Sequence, residues 1–431
     1  MGCTNSISRH INGKKKQLHV PEVAIFVPTL RIPKEIDFQR ALQGTVTPKL
    51  VEKLSSLRSQ IVLIAEGGCL KFSRPTNNIP VLEGGSSLSD LQRALEEYLP
   101  VVLGLTRKDY NLVGMVNFKW IRQDNQQETS IESTWYELLS VLHLMAMVSL
   151  SQANQILIPE DPIDASERKV SEGCKTRGID LLLLAAGYLE FCVRCIYIHM
   201  PLEVKKRLPR DLHEDALEAT SLQALAQGIE MQLGFALESE KATLSVKRRL
   251  ACEQVEYLAK AYCCLPSCNF VERYERKHLL FIKWKYLEAK AAAYFYHGLI
   301  LGKGGEAVDH MNAVKCLLAA DELLVDSKKA CLSFCVTAPV TRASPLWGAM
   351  KHLHHKIPEV ALKKSQMYDH LFNSNKFFPQ ALPELPEFPL SLKPDSYEFP
   401  STDSSWENGL CDLKVQTLKE HLKDCEDSDL E

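Results

Sequence analysis

The chain has 431 residues, enough to bury a sizeable core, and its formal net charge of −3 with a pI near 6.5 excludes a dedicated nucleic-acid binder, which would carry a strongly basic domain. Fourteen cysteines could signal a disulfide framework. Cys192, Cys195, Cys252, Cys263, Cys264 and Cys316 lie inside apolar helical patterns, however, and no secretory signal opens the chain, so they read as reduced thiols of a cytosolic protein.

The chain opens Met1-Gly2-Cys3-Thr4-Asn5-Ser6, the pattern for N-myristoylation at Gly2, with Cys3 placed for palmitoylation. One acyl chain holds a membrane only marginally. A second acyl group or a basic cluster is needed, and Cys3 and the run Lys14, Lys15, Lys16 supply both. Further on, the bounded β-branched runs Val23 to Val27 and Ile61 to Ala65 read as strands, with a turn at Gly67-Gly68 and a return strand from Cys69 to Phe72. Leu112 to Trp120 is a third strand. Pro48 to Ser59 and Ser89 to Tyr98 read as helices, the latter with Asp90 in its first turn.

After Glu132 the pattern becomes long helices with short breaks: Ser133 to Asn154, Asp164 to His199, the pair within Thr220 to Leu265, Val271 to Leu301, Glu306 to Ala330, and Trp347 to Leu371 interrupted at Pro358. Such helices predict an α-solenoid or elongated bundle behind a small N-terminal β-hairpin or sheet. No apolar run reaches the ~18 residues that span a bilayer. In the central pair, Leu222, Leu225, Ile229, Leu233 and Ala236 share one face of the first helix. The second helix carries two apolar stripes: Leu244, Ala251, Val255, Leu258 and Tyr262, and, about 125° away, Val246, Leu250, Tyr257 and Ala261. Two readings fit: burial on both sides, or a core stripe beside a groove for a partner helix.

From Phe378 prolines recur, and Pro383-Glu-Leu-Pro386 and Pro386-Glu-Phe-Pro389 have PxxP spacing without a basic neighbour. Docking of this stretch on the chain's own body through Leu382, Leu385, Phe388 and Leu390 is the preferred reading, because it is too apolar for a solvated linker. The end, Asp412 to Glu431, reads as a short helix fading into an acidic tail. Three segments result: a lipidated basic 1–20, a helical domain 21–375, and a proline-containing, then acidic 376–431.

Signatures of catalysis are missing. Gly298 to Gly304 lacks the spacing and the Ser or Thr of a phosphate loop, and no GxSxG, HExxH or GxGxxG occurs. Cys192 and Cys195 have zinc-like spacing without a second pair, and His352, His354 and His355 lack Cys or carboxylate partners, so no metal or cofactor is expected.

The order of features is similar to the Bro-one domain of the ALIX family of endosomal-sorting proteins over Pro21 to Leu371. The resemblance rests on Pro33-Lys-Glu-Ile-Asp37-Phe38, Phe118-Lys119-Trp120, the helix at Glu137, Ser171-Glu172-Gly173-Cys174-Lys175 with Ala185-Ala186-Gly187-Tyr188, Leu225-Ala226-Gln227 through Tyr257, and His354-His355-Lys356-Ile357-Pro358. It implies a boomerang-shaped solenoid with tetratricopeptide-like packing and no enzymatic activity. It also implies a surface that binds the C-terminal amphipathic helix of an ESCRT-III subunit at the cytoplasmic face of an endosomal or plasma membrane, with a cytosolic pool. The family's contact patch carries over onto Lys175 and Leu250, and further onto Val246 and Leu233. Ser171 stands where the family has Asp, which removes one charged contact. The family's long coiled domain and extended proline-rich tail are not read in this sequence, so a stand-alone Bro-one protein is expected. The competing expectations are a scaffold for a different trafficking or signalling partner and a lipid-anchored enzyme.

Overall fold

The computed structural model describes residues 20–28, 30–69, 84–158, 170–265, 273–344, 348–367 and 381–407. Gly2, Cys3 and Lys14 to Lys16 lie outside these residues, as do the strand positions 70–72 and the end after Glu407. The elements run β1 (Glu22–Val23), β2 (Arg31–Pro33), α1 (Phe38–Leu42), α2 (Pro48–Ile64), α3 (Gly84–Leu103), β3 (Asn117–Arg122), β4 (Glu128–Glu132), α4 (Thr134–Leu157), α5 (Glu172–Phe191), α6 (Leu202–Arg207), α7 (Glu214–Glu238), α8 (Leu244–Cys264), α9 (Arg273–Leu301), α10 (Ala307–Val336), β5 (Arg342–Ala343) and α11 (Gly348–Met367).

From α2 onward the long helices pack on their neighbours in chain order, and α11 turns back onto α7 and α10. This is the elongated helical array that the helix lengths predict. The expected small sheet is present with different strands. Antiparallel β2-β3-β4 pairs Ile32 with Ile121 and Phe118 with Ile131, and β1 pairs in parallel with β5, so that a segment near the N-terminus closes against one that follows α10. Along β3, Phe118, Trp120 and Arg122 alternate inward.

Two readings from the sequence are corrected here. Ile61 to Ala65 is not a strand: Leu50, Val51, Leu54, Arg58, Ile61 and Val62 keep one helical spacing to the end of α2, and a wide helical turn then covers Ala65–Cys69. That three-to-four spacing extends over the whole helix and outweighs the local β-branched preference. Pro358 does not interrupt α11, because Leu353, Ile357 and Ala361 anchor the helix face on either side of it while Pro358 stays half-buried. In addition, although the sequence shows no unbroken apolar run of about 18 residues, Glu172–His199 is one helical stretch long and apolar enough to cross a membrane by length and composition. Here α5 packs against α4 and α7.

Buried polar groups are tied together. Glu137, fully buried on α4, accepts from Arg58, from the Tyr98 hydroxyl at 3.0 Å and from Trp120 Nε1 at 2.7 Å, which joins α2, α3 and β3. Burial pushes its carboxyl up while the Arg58 guanidinium pulls it down. Lys277 is buried under the end of α10, where its ammonium donates to the carbonyls of Phe334 at 3.1 Å and Thr337 at 2.9 Å and lies 4.5 Å from the Phe334 ring. It thereby satisfies carbonyls that a helix C-terminus leaves without partners.

A candidate partner-binding face and the strap that crosses it

Ser171 caps α5: its hydroxyl accepts from the Cys174 amide at 3.1 Å. Lys175, one turn on, is 6% exposed. Its ammonium donates to Glu238 at the end of α7 and lies 5.5 Å from the Phe235 ring. Lys175 is therefore no open surface cation, because Glu238, whose side chain is 57% exposed, already matches its charge.

After a short turn, Thr243 caps α8 by accepting from the Val246 amide at 3.3 Å. Val246 is 46% exposed and Leu250, one turn further, is half-buried against both main clusters of the core. Leu233 is a correction: it is 1% exposed, packed with Ala251, Tyr294 and Met350, and so belongs to the core. The second stripe of α8 is open only at its start, since Tyr257 and Ala261 are buried. Conversely Tyr262, placed on the core stripe from the sequence, is exposed.

What covers the rest of that face is the chain's own C-terminal segment, residues 381–407, an extended strap. Leu385 and Phe388 pack on one core cluster and Leu390, Leu392, Tyr397 and Phe399 on the other, whereas Leu382 stays exposed. Docking on the body is thus observed, with Leu382 removed from the anchors. On α8, Arg248 lies 5.8 Å from the Phe388 ring, and the buried carboxylate of Glu253 accepts from the amide and hydroxyl of Ser391 and from the Leu392 amide at 3.0 Å. The Tyr257 hydroxyl donates to the Leu392 carbonyl, and burial, with Glu253 beside it, pushes the phenol up to about 12.

Bare backbone makes the bed for the strap on the next helices. A Cβ on Gly228 of α7 would sit 2.9 Å from Leu392 Cδ2, and one on Gly187 of α5 would run into the Asp395 carbonyl. Tyr397 meets Tyr188 and Phe191 edge-on at 4.9 and 5.1 Å. At the far end the strap satisfies carbonyls of the last turn of α3: Pro100 accepts from the Asp403 amide at 3.1 Å and Val101 from Trp406 Nε1 at 2.8 Å. Burial alone would raise the Asp403 carboxyl, but bonds from Lys53 and Ser405 hold it at about 2.

Other sequence candidates are dispersed. Cys192 is buried and burial pushes its thiol up, while Cys195 is half-buried. His354 Nε2 lies 3.7 Å from Glu288 in a buried cluster with Lys285, and His352 and His355 face solvent. Among the described residues no group of three or more His, Cys, Asp or Glu is placed to hold a metal.

No protein-family model and no curated protein matches the chain. Solved structures do. ALIX in complex with the SIVmac239 PYKEVTEDL late domain superposes with a TM-score of 0.61 at 15% identity, over 88% of this chain and 50% of that one. This chain thus spans half of that ALIX chain. The ALIX BRO1 CHMP4C complex gives 0.59 at 14% over 89% of this chain and 97% of its own. A structure described as the basis for endosomal targeting by the Bro1 domain gives 0.54 at 13% over 90% and 95%. Each superposition covers most of this chain, and the chain has the fold of the Bro1 domain.

Proposed function

We propose that this protein is a non-catalytic adaptor in endosomal sorting that binds the amphipathic C-terminal helix of an ESCRT-III subunit. The observation that carries the reading is the half-open apolar pair Val246 and Leu250 at the start of α8, on a fold shared with the ALIX Bro1 domain that has been solved with CHMP4C. Exposed apolar side chains at the meeting of two helices suit the apolar face of a third. Lys241, Lys247 and Arg249 stand around Val246 with exposed or half-exposed side chains, so the partner helix should carry acids along its flanks. Lys175 serves that helix through Glu238: a partner carboxylate must displace Glu238 or leave the pair intact at the rim.

In this reading acylation at Gly2 and Cys3, with Lys14 to Lys16, holds the adaptor at the cytoplasmic face of an endosomal or plasma membrane. A scaffold for another acidic amphipathic helix would use the same row.

The test is binding of a fluorescent ESCRT-III C-terminal helix to the parent chain and to Val246→Asp. Val246 is the better probe than Leu250, which also contacts the core. A charge in that contact should weaken binding by about tenfold or more while melting is unchanged. Equal binding by both chains would remove the row from the site, and no binding by the parent would remove ESCRT-III as the partner.

A further inference from the structure

One exposed apolar row remains unexplained by the partner face. On α10, Leu317, Ala320, Leu324, Ala330 and Phe334 point into the core, whereas Leu318, Val325, Leu332 and Val336 are 38, 46, 64 and 63% exposed. Their spacing of seven, seven and four residues places all four along one outer line of the helix. No described residue outside α10 is recorded in a hydrogen bond or ion pair with Glu322, Lys328 or Lys329, and Lys329 holds Asp326 of its own helix at 2.9 Å.

The charges beside this row are ordered. The sequence Asp321-Glu322-Leu-Leu-Val325-Asp326-Ser-Lys328-Lys329 puts two acids before Val325 and two bases after it. By helical arithmetic at about 100° per residue, Glu322 and Lys329 flank one side of the row and Asp321 and Lys328 the other. Each side therefore carries one acid and one base, disposed about Val325. Laid against itself antiparallel with a two-fold axis at Val325, the helix brings Leu318 onto Leu332 of a second copy. On one flank Glu322 then faces Lys329, and on the other Asp321 faces Lys328. A parallel arrangement sets acid against acid and base against base, so the charge order selects the antiparallel one.

We infer that the outer face of α10 is a self-association surface, whose occupant is α10 of a second copy of this chain running antiparallel. The surface is isologous, as a two-fold dimer requires. The contact from Leu318 to Leu332 covers about 21 Å of helix at 1.5 Å per residue. That is small for a specific interface, so the dimer is weak and forms in the micromolar range. It leaves Val246 and the strap untouched, since both lie on elements other than α10.

The experiment is sedimentation velocity of the full chain from about 1 to about 100 µM. The parent should shift from monomer to dimer. Leu332→Asp should raise the dissociation constant at least about tenfold, with unaltered circular dichroism because the side chain is exposed. Two charge variants make the test independent of that substitution: Asp321→Lys with Glu322→Lys, and Lys328→Glu with Lys329→Glu. Each alone should be monomeric, and an equimolar mixture should restore a dimer of one copy of each. A parent that stays monomeric throughout, a dimer that survives Leu332→Asp, or a mixture that stays monomeric would overturn the inference.

Discussion

Replacing Gly104 with alanine should release the far end of the strap. Gly104 follows the last turn of α3, and a Cβ on it would lie closer than 3.0 Å to Nε1, Cε2 and Cδ1 of Trp406. The indole cannot yield by a few tenths of an ångström. It is a rigid bicycle, 1% exposed, stacked on Tyr110 at 6.0 Å and fixed by its bond to the Val101 carbonyl. Expelling it forfeits a burial worth about 3–5 kcal/mol and a hydrogen bond worth about 1 kcal/mol. Against this, alanine returns at most about 1 kcal/mol of backbone entropy. A net loss of about 3 kcal/mol multiplies the detached fraction by on the order of a hundred. Hydrogen exchange read by mass spectrometry should therefore show residues 395–407 losing protection while α4 and α7 keep theirs. Trp406→Ala should do the same, and the double variant should be no worse than Trp406→Ala alone, because the clash has no target once the indole is gone. Undiminished protection in Gly104→Ala, or additive losses in the double variant, would refute the reasoning.

Two further outcomes follow from other groups. Asp403 is held at about 2, below its ordinary value of 3.8, so its contribution to docking is present above about pH 4 and is lost as pH falls through about 2; protection of the strap end should fall over that window, and Asp403→Asn, already neutral, should flatten the profile. At the other terminus, Gly2→Ala should move the protein from the membrane to the cytosolic fraction and Cys3→Ser should do so partially, since one acyl chain with three lysines is marginal; full membrane retention of Gly2→Ala in cell fractionation would remove the lipid anchor.

The helical array was legible because its helices are long and their apolar spacing persists over many turns, which no local preference overrides. Ile61 to Ala65 shows the converse: five residues read in isolation look like a strand, and only the row from Leu50 onward shows that they finish a helix. The two apolar faces of α8 were also legible, but the identity of what covers the second was not. Glu253 looks in sequence like a solvated charge, and its partners, Ser391 and Leu392, are 138 and 139 residues away. A signal for them did exist. Gly187 and Gly228 sit inside helices where glycine costs about 1 kcal/mol against alanine, an expense that implies close approach of another chain segment. Joined to the alternating Phe388, Leu390, Leu392, Tyr397 and Phe399, they mark the strap and its bed. Leu233 failed as a surface residue for a different reason. Leu225 and Ile229 on the same face pack in one core cluster, whereas Leu233 packs in the other, with residues of α9 and α11, and spacing within one helix does not report which neighbour it meets.

The strap also limits how a partner helix can lie on the proposed site. Glu253 and Tyr257, seven and eleven residues beyond Val246, occupy the same row of α8 and are bonded to Leu392. A helix placed along α8 would therefore have only Val246 and Leu250 to touch, about 6 Å of rise, less than two turns. Phe235 on α7, seven residues beyond Gly228 and thus on the face that the strap follows, is held under the Lys175 ammonium 5.5 Å from its ring. A partner that crosses α8 near its start can cover Val246 and Leu250 with the strap in place, whereas one that runs parallel to α8 must first dislodge Ser391 and Leu392 from Glu253. The intact strap thus favours the crossing orientation, and it makes the apolar reach of the site a property of the C-terminal segment as much as of α8.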